Sequence, residues 1–252
     1  MDKDRLFIIS CYFNGSNDAI FKSTNSIIAN YSNPKIVVVD SDSPDKSYFK
    51  KLKDLSIEVL DSRNKNYDTG AYWIGFKKYN DFKHYYFLQD SIEIKQNLVD
   101  YEKYDLTTFR YFLSIDRIGG FKFNKTKKKF INKLSFFFKI NDKIHDIFGF
   151  DNNEQINWGR DQLKKSNYFF SKTWLSVFGP IFICKNNVMQ KLQYNNFDKI
   201  LPTNKDQQMC MERLFGMAFQ QSGFDVSNSI QGENFTTDFD TLKFKKIFYK
   251  RK

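Results

Sequence analysis

Three short, mostly apolar runs constrain the fold of this chain more than any other feature. They are Leu6–Phe13, Ile36–Val39 and Ile57–Leu60, and each is too short to be a buried helix. The stretches between them, Ala19–Asn30 and about 46–55, are expected to form helices, the first because its apolar residues follow helical spacing. Apolar strands that alternate with helices are typical of a parallel sheet covered on both faces. The sequence therefore predicts a Rossmann-like α/β fold of three layers with a mostly parallel central sheet.

The remaining elements are predicted with the same reasoning. Further strands are expected at His84–Leu88, Ile92–Ile94, Thr107–Leu113 and Val177–Cys184, and helices at about 68–77, 185–192 and 206–221. The strand at Val177–Cys184 contains Gly179-Pro180, which predicts an edge strand or a kink. Residues 158–161 (Trp-Gly-Arg-Asp) are expected to form a plain turn, and the chain from Phe235 onward has no predicted structure.

Acidic and amide side chains follow the predicted strands at the points where they end. Asn14 follows the first strand, and Asp40, Asp42 and Asp45 follow the second. Asp90 follows the strand that begins at His84. In open α/β sheets, ligands bind in the crevice outside the carboxyl ends of the strands. These residues are therefore expected to lie along a binding edge, although Asp45 is better explained as a cap of the next helix.

The positive charge of the chain is concentrated in two segments. The formal net charge is +11 at pH 7. The basic residues of these segments are Lys122, Lys125, Lys127, Lys128, Lys129, Lys133 and Lys139, and Lys243, Lys245, Lys246, Lys250, Arg251 and Lys252. Such runs indicate either a solvated face or attraction to phosphates on anionic lipid, a charged acceptor or nucleic acid.

The apolar run near the start, Leu6–Ile9, is shorter than a signal peptide is expected to have, and no apolar stretch approaches the about 20 residues that would span a bilayer. Its three cysteines are widely spaced and have apolar neighbours, which is typical of buried, reduced thiols. We therefore expect a cytoplasmic protein, with peripheral membrane contact through its basic segments.

Four motifs in this order resemble the GT-A-fold glycosyltransferases, and glycosyltransferase family 2 in particular. The motifs are Tyr12-Phe-Asn14, Val37-Val-Val-Asp40-Ser-Asp42-Ser-Pro-Asp45, Asn66-Tyr-Asp68-Thr-Gly70-Ala71 and Tyr86-Phe-Leu-Gln89-Asp90-Ser91. The resemblance implies one catalytic domain over residues 1–235, with a nucleotide-sugar-binding half (1–100) and an acceptor-binding half (101–235). Residues 236–252 would form a basic C-terminal tail.

The resemblance also implies roles for individual residues. The donor, a UDP-, GDP- or dTDP-sugar, would contact Asn14, Asp40, Asp42, Asp68, Gly70, Gln89 and Asp90. A divalent cation, Mn²⁺ or Mg²⁺, would be held by Asp90, although the family usually has two acids where this chain has Gln89-Asp90-Ser91. A carboxylate must deprotonate the acceptor of an inverting enzyme, and the candidates are Asp206, which is slightly preferred, and Glu212.

Two other function classes remain open at this stage. A nucleotidyltransferase shares a similar α/β core, but it usually has a Gly-rich phosphate loop after the first strand, and residues 14–18 supply none. A nucleic-acid-binding module is suggested by lysines interleaved with phenylalanines. The acids expected at the binding edge would repel a phosphate backbone, so a glycosyltransferase acting on a glycan, lipid-linked or protein acceptor is the preferred reading.

Overall fold

The computed structural model describes residues 3–16, 18–115, 153–232, 241 and 243–246. Its strands are β1 (Arg5–Cys11), β2 (Lys35–Asp40), β3 (Glu58–Leu60), β4 (His84–Gln89), β5 (Ile92–Ile94), β6 (Leu106–Thr108), β7 (Tyr111–Ile115), β8 (Thr173–Val177), β9 (Phe182–Lys185) and β10 (Phe244–Lys246). Its α-helices are α1 (Ala19–Asn30), α2 (Tyr48–Asp54), α3 (Tyr67–Lys78), α4 (Asn153–Leu163), α5 (Asn186–Tyr194) and α6 (Lys205–Gln221).

The central sheet has six strands in the order β3-β2-β1-β4-β9-β6. The first four are parallel, and β9 runs antiparallel to both of its neighbours. The predicted α/β class with a mostly parallel sheet is therefore confirmed. Strands β6 and β9 come from the second half of the chain, so both halves contribute to one sheet.

Alternate residues of each central strand pack against different helices, as expected for strands that are buried on both faces. Ile8 and Phe87 belong to one apolar cluster, which includes residues of α3, α5 and α6. Ile9 and Leu88 belong to a second cluster on the other side of the sheet, which includes residues of α1 and α2. The predicted three-layer arrangement follows from this alternation.

Two predicted strands are each divided between two sheets. The prediction of one strand over Thr107–Leu113 was wrong, because β6 joins the central sheet whereas β7 pairs with β8 in a separate two-stranded sheet. The predicted strand Val177–Cys184 breaks in the same way between β8 and β9. Gly179 has a φ of +65° at this break, a conformation that favours glycine, and the residue after it is Pro180.

One further prediction was wrong, because residues 158–161 lie within helix α4 and do not form a turn. The chain from Phe235 onward, for which no structure was predicted, contains strand β10, which pairs antiparallel with β5. The basic segment between Lys122 and Lys139 lies outside the described residues, as do Lys250, Arg251 and Lys252. None of the helices in the described ranges is long and apolar enough to cross a bilayer.

Candidate functional site

An open cavity of about 1150 Å³ lies at the carboxyl ends of β1, β2 and β4. The residues that line it are Ser10, Tyr12, Asn14, Ser41, Asp42, Pro44, Asn64, Lys65, Tyr67, Asp68, Gln89, Asp90, Ser91, Pro180, Lys205, Gln208, Met209, Glu212 and Lys246. The cavity therefore occupies the binding edge that the strand pattern predicts, and α6 and β10 add residues to it from the second half of the chain.

The strand register aligns the polar strand ends. Cys11 is opposite Asp40 in the β1–β2 pair, and Ser10 is opposite Gln89 in the β1–β4 pair. Backbone hydrogen bonds continue past the strand ends, from Ser41 N to Cys11 O at 2.8 Å and from Asp90 N to Ser10 O at 2.9 Å. The loops that follow β1, β2 and β4 consequently begin side by side at the same edge of the sheet, and all three contribute residues to the cavity.

Asp90 is the most constrained carboxylate of the cavity. It is only 7% exposed, and its Oδ2 accepts a hydrogen bond from the backbone amide of Tyr12 at 3.2 Å. This bond fixes the carboxylate against the loop that follows β1, so its position at the end of β4 is set by the sheet and not by solvent.

Gln89 stands where the resembling family usually has an acid, and it connects three parts of the cavity wall. Its amide nitrogen donates to Asp68 Oδ2 at 2.7 Å and to Gly179 O at 3.0 Å. Its amide oxygen accepts a hydrogen bond from Lys246 Nζ at 3.1 Å. A neutral amide, which both donates and accepts, satisfies an acid on one side and a cation on the other.

Asp68 lies in the first turn of α3, where a negative charge is favoured by the helix dipole. The helix begins at Tyr67, with Asn66 as the N-cap residue, so it starts slightly earlier than the predicted cap at Asp68 or Thr69. Asp68 lines the cavity, and its carboxylate accepts the hydrogen bond from Gln89 there.

Gly70 does not line the cavity, but it allows the wall of the cavity to form. A methyl group at Gly70 would overlap Asn64 Oδ1 and would lie 2.6 Å from Asn66 Cβ. The side chain of Asn64 is buried there, where its amide donates to Ser41 Oγ at 3.0 Å and to Tyr67 O at 2.7 Å. The side chains that lie closest to Gly70 are thus those of Asn64 and Asn66, in the loop that precedes α3.

The three aspartates that follow β2 have different environments. Asp40 is fully buried, and it accepts hydrogen bonds from the Tyr48 hydroxyl at 2.6 Å, from Ser43 N at 3.2 Å and from Lys46. Its carboxylate points away from the cavity lining and stabilises the loop between β2 and α2. Asp42 lies at the exposed rim. Asp45 accepts a hydrogen bond from Ser47 N at 2.7 Å, but the N-cap residue of α2 is Ser47, so the prediction that Asp45 caps this helix was wrong.

The loops around the cavity contain three non-glycine residues in the left-handed region. The φ angles are +56° for Asp42, +50° for Arg63 and +53° for Tyr67. L-residues with side chains adopt this region at a cost of roughly 1–2 kcal/mol, so backbone strain is concentrated at the two loops that follow β2 and β3.

Glu212 faces the cavity from α6, opposite the strand ends. Its carboxylate accepts hydrogen bonds from Gly179 N and from Arg213 Nη1, both at 3.1 Å, and its side chain is 17% exposed. Burial raises the pKa of Glu212 above its usual value, and the neighbouring Arg213 only partly opposes this shift. A carboxylate with a raised pKa in a cavity is suited to accept a proton near neutral pH.

Asp206, the candidate base that the sequence analysis slightly preferred, has a different position. Asp206 is in the first turn of α6 and is exposed, and the cavity lining within the described ranges does not include it. Asn14 does line the cavity, where its side-chain oxygen accepts hydrogen bonds from Ser16 N at 3.1 Å and Ser16 Oγ at 2.6 Å.

Several lining residues were not singled out as site residues. Tyr12 is 38% exposed on the cavity side of β1. Gln208 is 9% exposed, and its Oε1 accepts a hydrogen bond from Thr69 Oγ1 at 3.0 Å. Helical spacing gives a weak signal for Gln208, because it lies one turn before Glu212 on the same face of α6. Lys246 has no such signal, since its contacts are with residues far away in the sequence.

A divalent cation is compatible with the residues present if the substrate supplies part of its coordination. In the described part of the chain, no group of three or more His, Cys, Asp or Glu side chains converges on a metal position. Mg²⁺ in phosphate-transfer sites is often held by one or two carboxylates, waters and substrate phosphates. Asp90 is the residue that would hold such a cation here.

Solved structures that are similar to this chain include GT-A-type glycosyltransferases and a nucleotidyltransferase. TarS residues 1–349 from S. aureus has 11% identity and a TM-score of 0.46, and the similarity covers 97% of this chain and 60% of TarS. GalNAc-T7, crystallised with UDP, GalNAc and Mn²⁺, has 16% identity and a TM-score of 0.37, with 44% and 24% coverage. CMP:2-keto-3-deoxy-manno-octonic acid synthetase, complexed with CTP, has 9% identity and a TM-score of 0.45, with 92% and 90% coverage.

The chain thus spans about a quarter of GalNAc-T7 and three fifths of TarS. No family model and no curated protein matches it. At these identities and TM-scores, the structural similarities carry no argument about substrate or mechanism.

Proposed function

We propose that this protein is a glycosyltransferase that moves a sugar from a nucleotide-sugar donor to a hydroxyl of a glycan, lipid-linked or protein acceptor. The observation that supports this proposal best is the shared cavity of Asp68, Asp90 and Glu212. Asp90 follows β4, Asp68 lies in the first turn of α3, and Glu212 faces them from α6. This arrangement separates a place for a donor from a base that serves an acceptor.

Different walls of the cavity suit different parts of the donor. The wall near β1 and β2 is formed by Tyr12, Asn14, Ser41, Pro44, Asn64 and Tyr67. Such a mixture of aromatic and neutral polar groups suits a base and a ribose, which need stacking and hydrogen bonds but no counter-charge. The diphosphate would then lie toward Asp90, the residue that would hold a Mn²⁺ or Mg²⁺ ion, and such an ion would supply positive charge to offset the charge of the diphosphate.

Glu212 is the proposed general base. It would take the proton of the acceptor hydroxyl while the hydroxyl oxygen forms a bond to the anomeric carbon of the sugar. The bond between that carbon and the phosphate oxygen breaks, and the nucleoside diphosphate leaves with the electron pair. Attack from the side opposite the leaving group inverts the configuration at the anomeric carbon. The exposed position of Asp206 is the reason for preferring Glu212.

The proposed catalytic domain has a donor-binding half at residues 1–100 and an acceptor-binding half at residues 101–235. Glu212, Met209 and Lys205 line the cavity from α6 in the second half, on the side where an acceptor would enter. The basic residues of the chain would add attraction to an anionic acceptor or to anionic lipid at a membrane face in the cytoplasm.

The first test is a thermal-shift panel of UDP, GDP, dTDP and CMP, each with Mn²⁺, with Mg²⁺ and with EDTA. A ligand that binds only the folded state raises its apparent stability, by about 2.7 kcal/mol at a concentration 100 times the Kd. We expect one nucleotide to stabilise the protein more than the others. If none of them does so under any condition, the cavity is not a nucleotide site and the proposal fails.

A product assay separates the alternatives. A glycosyltransferase releases a nucleoside diphosphate from a nucleotide sugar, whereas a nucleotidyltransferase releases pyrophosphate from a nucleoside triphosphate and a sugar substrate. Salt-dependent, sub-micromolar binding of single-stranded oligonucleotides, without any nucleotide-dependent stabilisation, would instead favour the nucleic-acid-binding module.

A further inference from the structure

Strand β10 brings a lysine from the end of the described chain into the cavity. Lys246 is opposite Ile92 in the β5–β10 pair, and Ile92 is two residues after Asp90. The strand is held in place by Phe244, which is 1% exposed and packs against Phe109 with a centroid distance of 4.8 Å. The backbone amide of Lys95 also donates to Lys243 O at 2.8 Å.

The alternation of side chains along a strand gives Lys246 its direction. Phe244 and Lys246 lie on the same face of β10, and the buried Phe244 shows that this face is turned toward the protein. Lys245 lies on the opposite face and is exposed. Lys245 and Lys246 therefore point in opposite directions because they occupy consecutive positions of one strand.

The ammonium group of Lys246 lies between the strand ends and α6. Its Nζ is 3.1 Å from Gln89 Oε1 and 5.8 Å from the ring centroid of Phe178. Its positive charge also acts on Glu212, whose carboxylate it favours in the ionised form. The lysine thus sits next to both the residue that precedes Asp90 and the proposed base.

The described lining of the cavity contains more carboxylates than lysines. Its described lining contains four carboxylates, Asp42, Asp68, Asp90 and Glu212, and three lysines, Lys65, Lys205 and Lys246. Lys65 and Lys205 are exposed, whereas Lys246 is half-buried and hydrogen-bonded to the cavity wall. A doubly negative diphosphate that enters a cavity with this excess of carboxylates requires positive charge close to the place where it binds.

We propose that Lys246 contacts the diphosphate of the donor and neutralises it as the nucleoside diphosphate leaves, an inference that rests on the proposed function. Gln89 helps to position this lysine. Its neutral amide oxygen accepts a hydrogen bond from the ammonium group and holds that group at the cavity wall. Asp90, with or without a cation, and Lys246 approach the diphosphate from two sides.

The experiment compares ligands that differ only in their phosphates. The nucleoside, the monophosphate and the diphosphate of the base that stabilises wild type best are titrated calorimetrically into four proteins: wild type, Lys246→Met, Lys246→Arg and Lys245→Met. The buffer contains either Mn²⁺ or EDTA, whichever gives wild type the tighter diphosphate binding. Methionine keeps the length of the side chain without its charge, and the Lys245 variant is the matched control on the same strand. Urea denaturation verifies that all four proteins are folded.

We expect Lys246→Met to weaken diphosphate binding by about 10- to 100-fold, the loss of one charge-assisted hydrogen bond, and to change nucleoside binding by less than about 2-fold. Lys246→Arg should retain most of the affinity, and Lys245→Met should match wild type. If Lys246→Met binds the diphosphate as tightly as wild type, or if it loses nucleoside affinity to the same extent, the inference is overturned and the proposed function stands. If wild type binds no nucleoside diphosphate, both are overturned.

Discussion

The replacement of Gly70 by alanine tests how the cavity wall is built. The added methyl group would overlap Asn64 Oδ1 and approach Asn66 Cβ to 2.6 Å. Asn64 cannot move away without losing its bonds to Ser41 Oγ and Tyr67 O, and the bond from Asn66 N to its Oδ1 at 2.9 Å. Three buried hydrogen bonds contribute a net free energy of roughly 0.5–1.5 kcal/mol each.

The expected effect of Gly70→Ala follows from two opposing terms. The loss of the three bonds would lower the free energy of unfolding by about 1.5–4.5 kcal/mol, and the better helix propensity of alanine would return up to about 1 kcal/mol. We therefore expect a net destabilisation of about 0.5–4.5 kcal/mol in urea denaturation, with an unchanged m value. Nucleotide affinity should fall as well, because Asn64 and Tyr67 both line the cavity.

A double-mutant cycle with Asn64→Ala identifies the cause. If Gly70 is required because of Asn64, the Gly70→Ala substitution should cost at least about 1 kcal/mol less in the Asn64→Ala background. The reasoning is refuted if Gly70→Ala is as stable as wild type, or if the two substitutions are additive within about 0.5 kcal/mol.

Three further predictions concern single carboxylates. Because burial raises the pKa of Glu212, the acid limb of the pH profile of kcat/KM should have its midpoint above pH 4.5. Glu212→Gln should lower kcat by about 10²- to 10⁴-fold, whereas Asp206→Asn should have little effect. Equal losses of kcat in both variants would reject Glu212 as the base. Asp90→Asn should abolish transfer without a change in the urea midpoint larger than that of a typical surface variant, and full turnover would remove Asp90 from the site. Burial opposes ionisation of Glu58, but hydrogen bonds from Lys78, Tyr79 and Lys35 outweigh it and hold its pKa at about 2. The folded-state pKa is thus below the usual 4.5, so ionised Glu58 stabilises the fold by roughly 2 kcal/mol above pH 4.5, and this contribution disappears as the pH falls toward 2. In Glu58→Gln, the free energy of unfolding should therefore change less between pH 4.5 and pH 2, as measured by urea titrations at several pH values.

Local patterns were enough to predict the parallel part of the sheet. The apolar runs at β1, β2 and β4 specify buried strands without reference to distant residues, and strand ends in a parallel sheet must share an edge. The position of the cavity, and of Asn14 and Asp90 along it, follows from that rule, whereas Asp68 and Gln89 were proposed through the family resemblance. Glu212 could be proposed only through the family resemblance, since a glutamate on a helix face has no distinctive local pattern.

The remaining features depend on contacts that the local sequence pattern does not specify. An aspartate after a strand has the same local sequence whether it meets a ligand or, as for Asp40, a tyrosine hydroxyl and a lysine. Gly159 was interpreted as a turn residue, but it lies in α4, where a methyl group would come within 2.8 Å of Cys210 Sγ on α6. The pairing of β10 with β5, which positions Lys246, joins segments about 150 residues apart.

The left-handed residues of the loops that follow β2 and β3 have a consequence for the evolution of this protein. Asp42, Arg63 and Tyr67 occupy conformations that glycine would adopt without strain, so a change to glycine at any of them is an accessible route to a more relaxed loop. The chain carries side chains there instead. Selection for stability alone would favour glycine, and so sequences drifting without a substrate to recognise should lose these three side chains early.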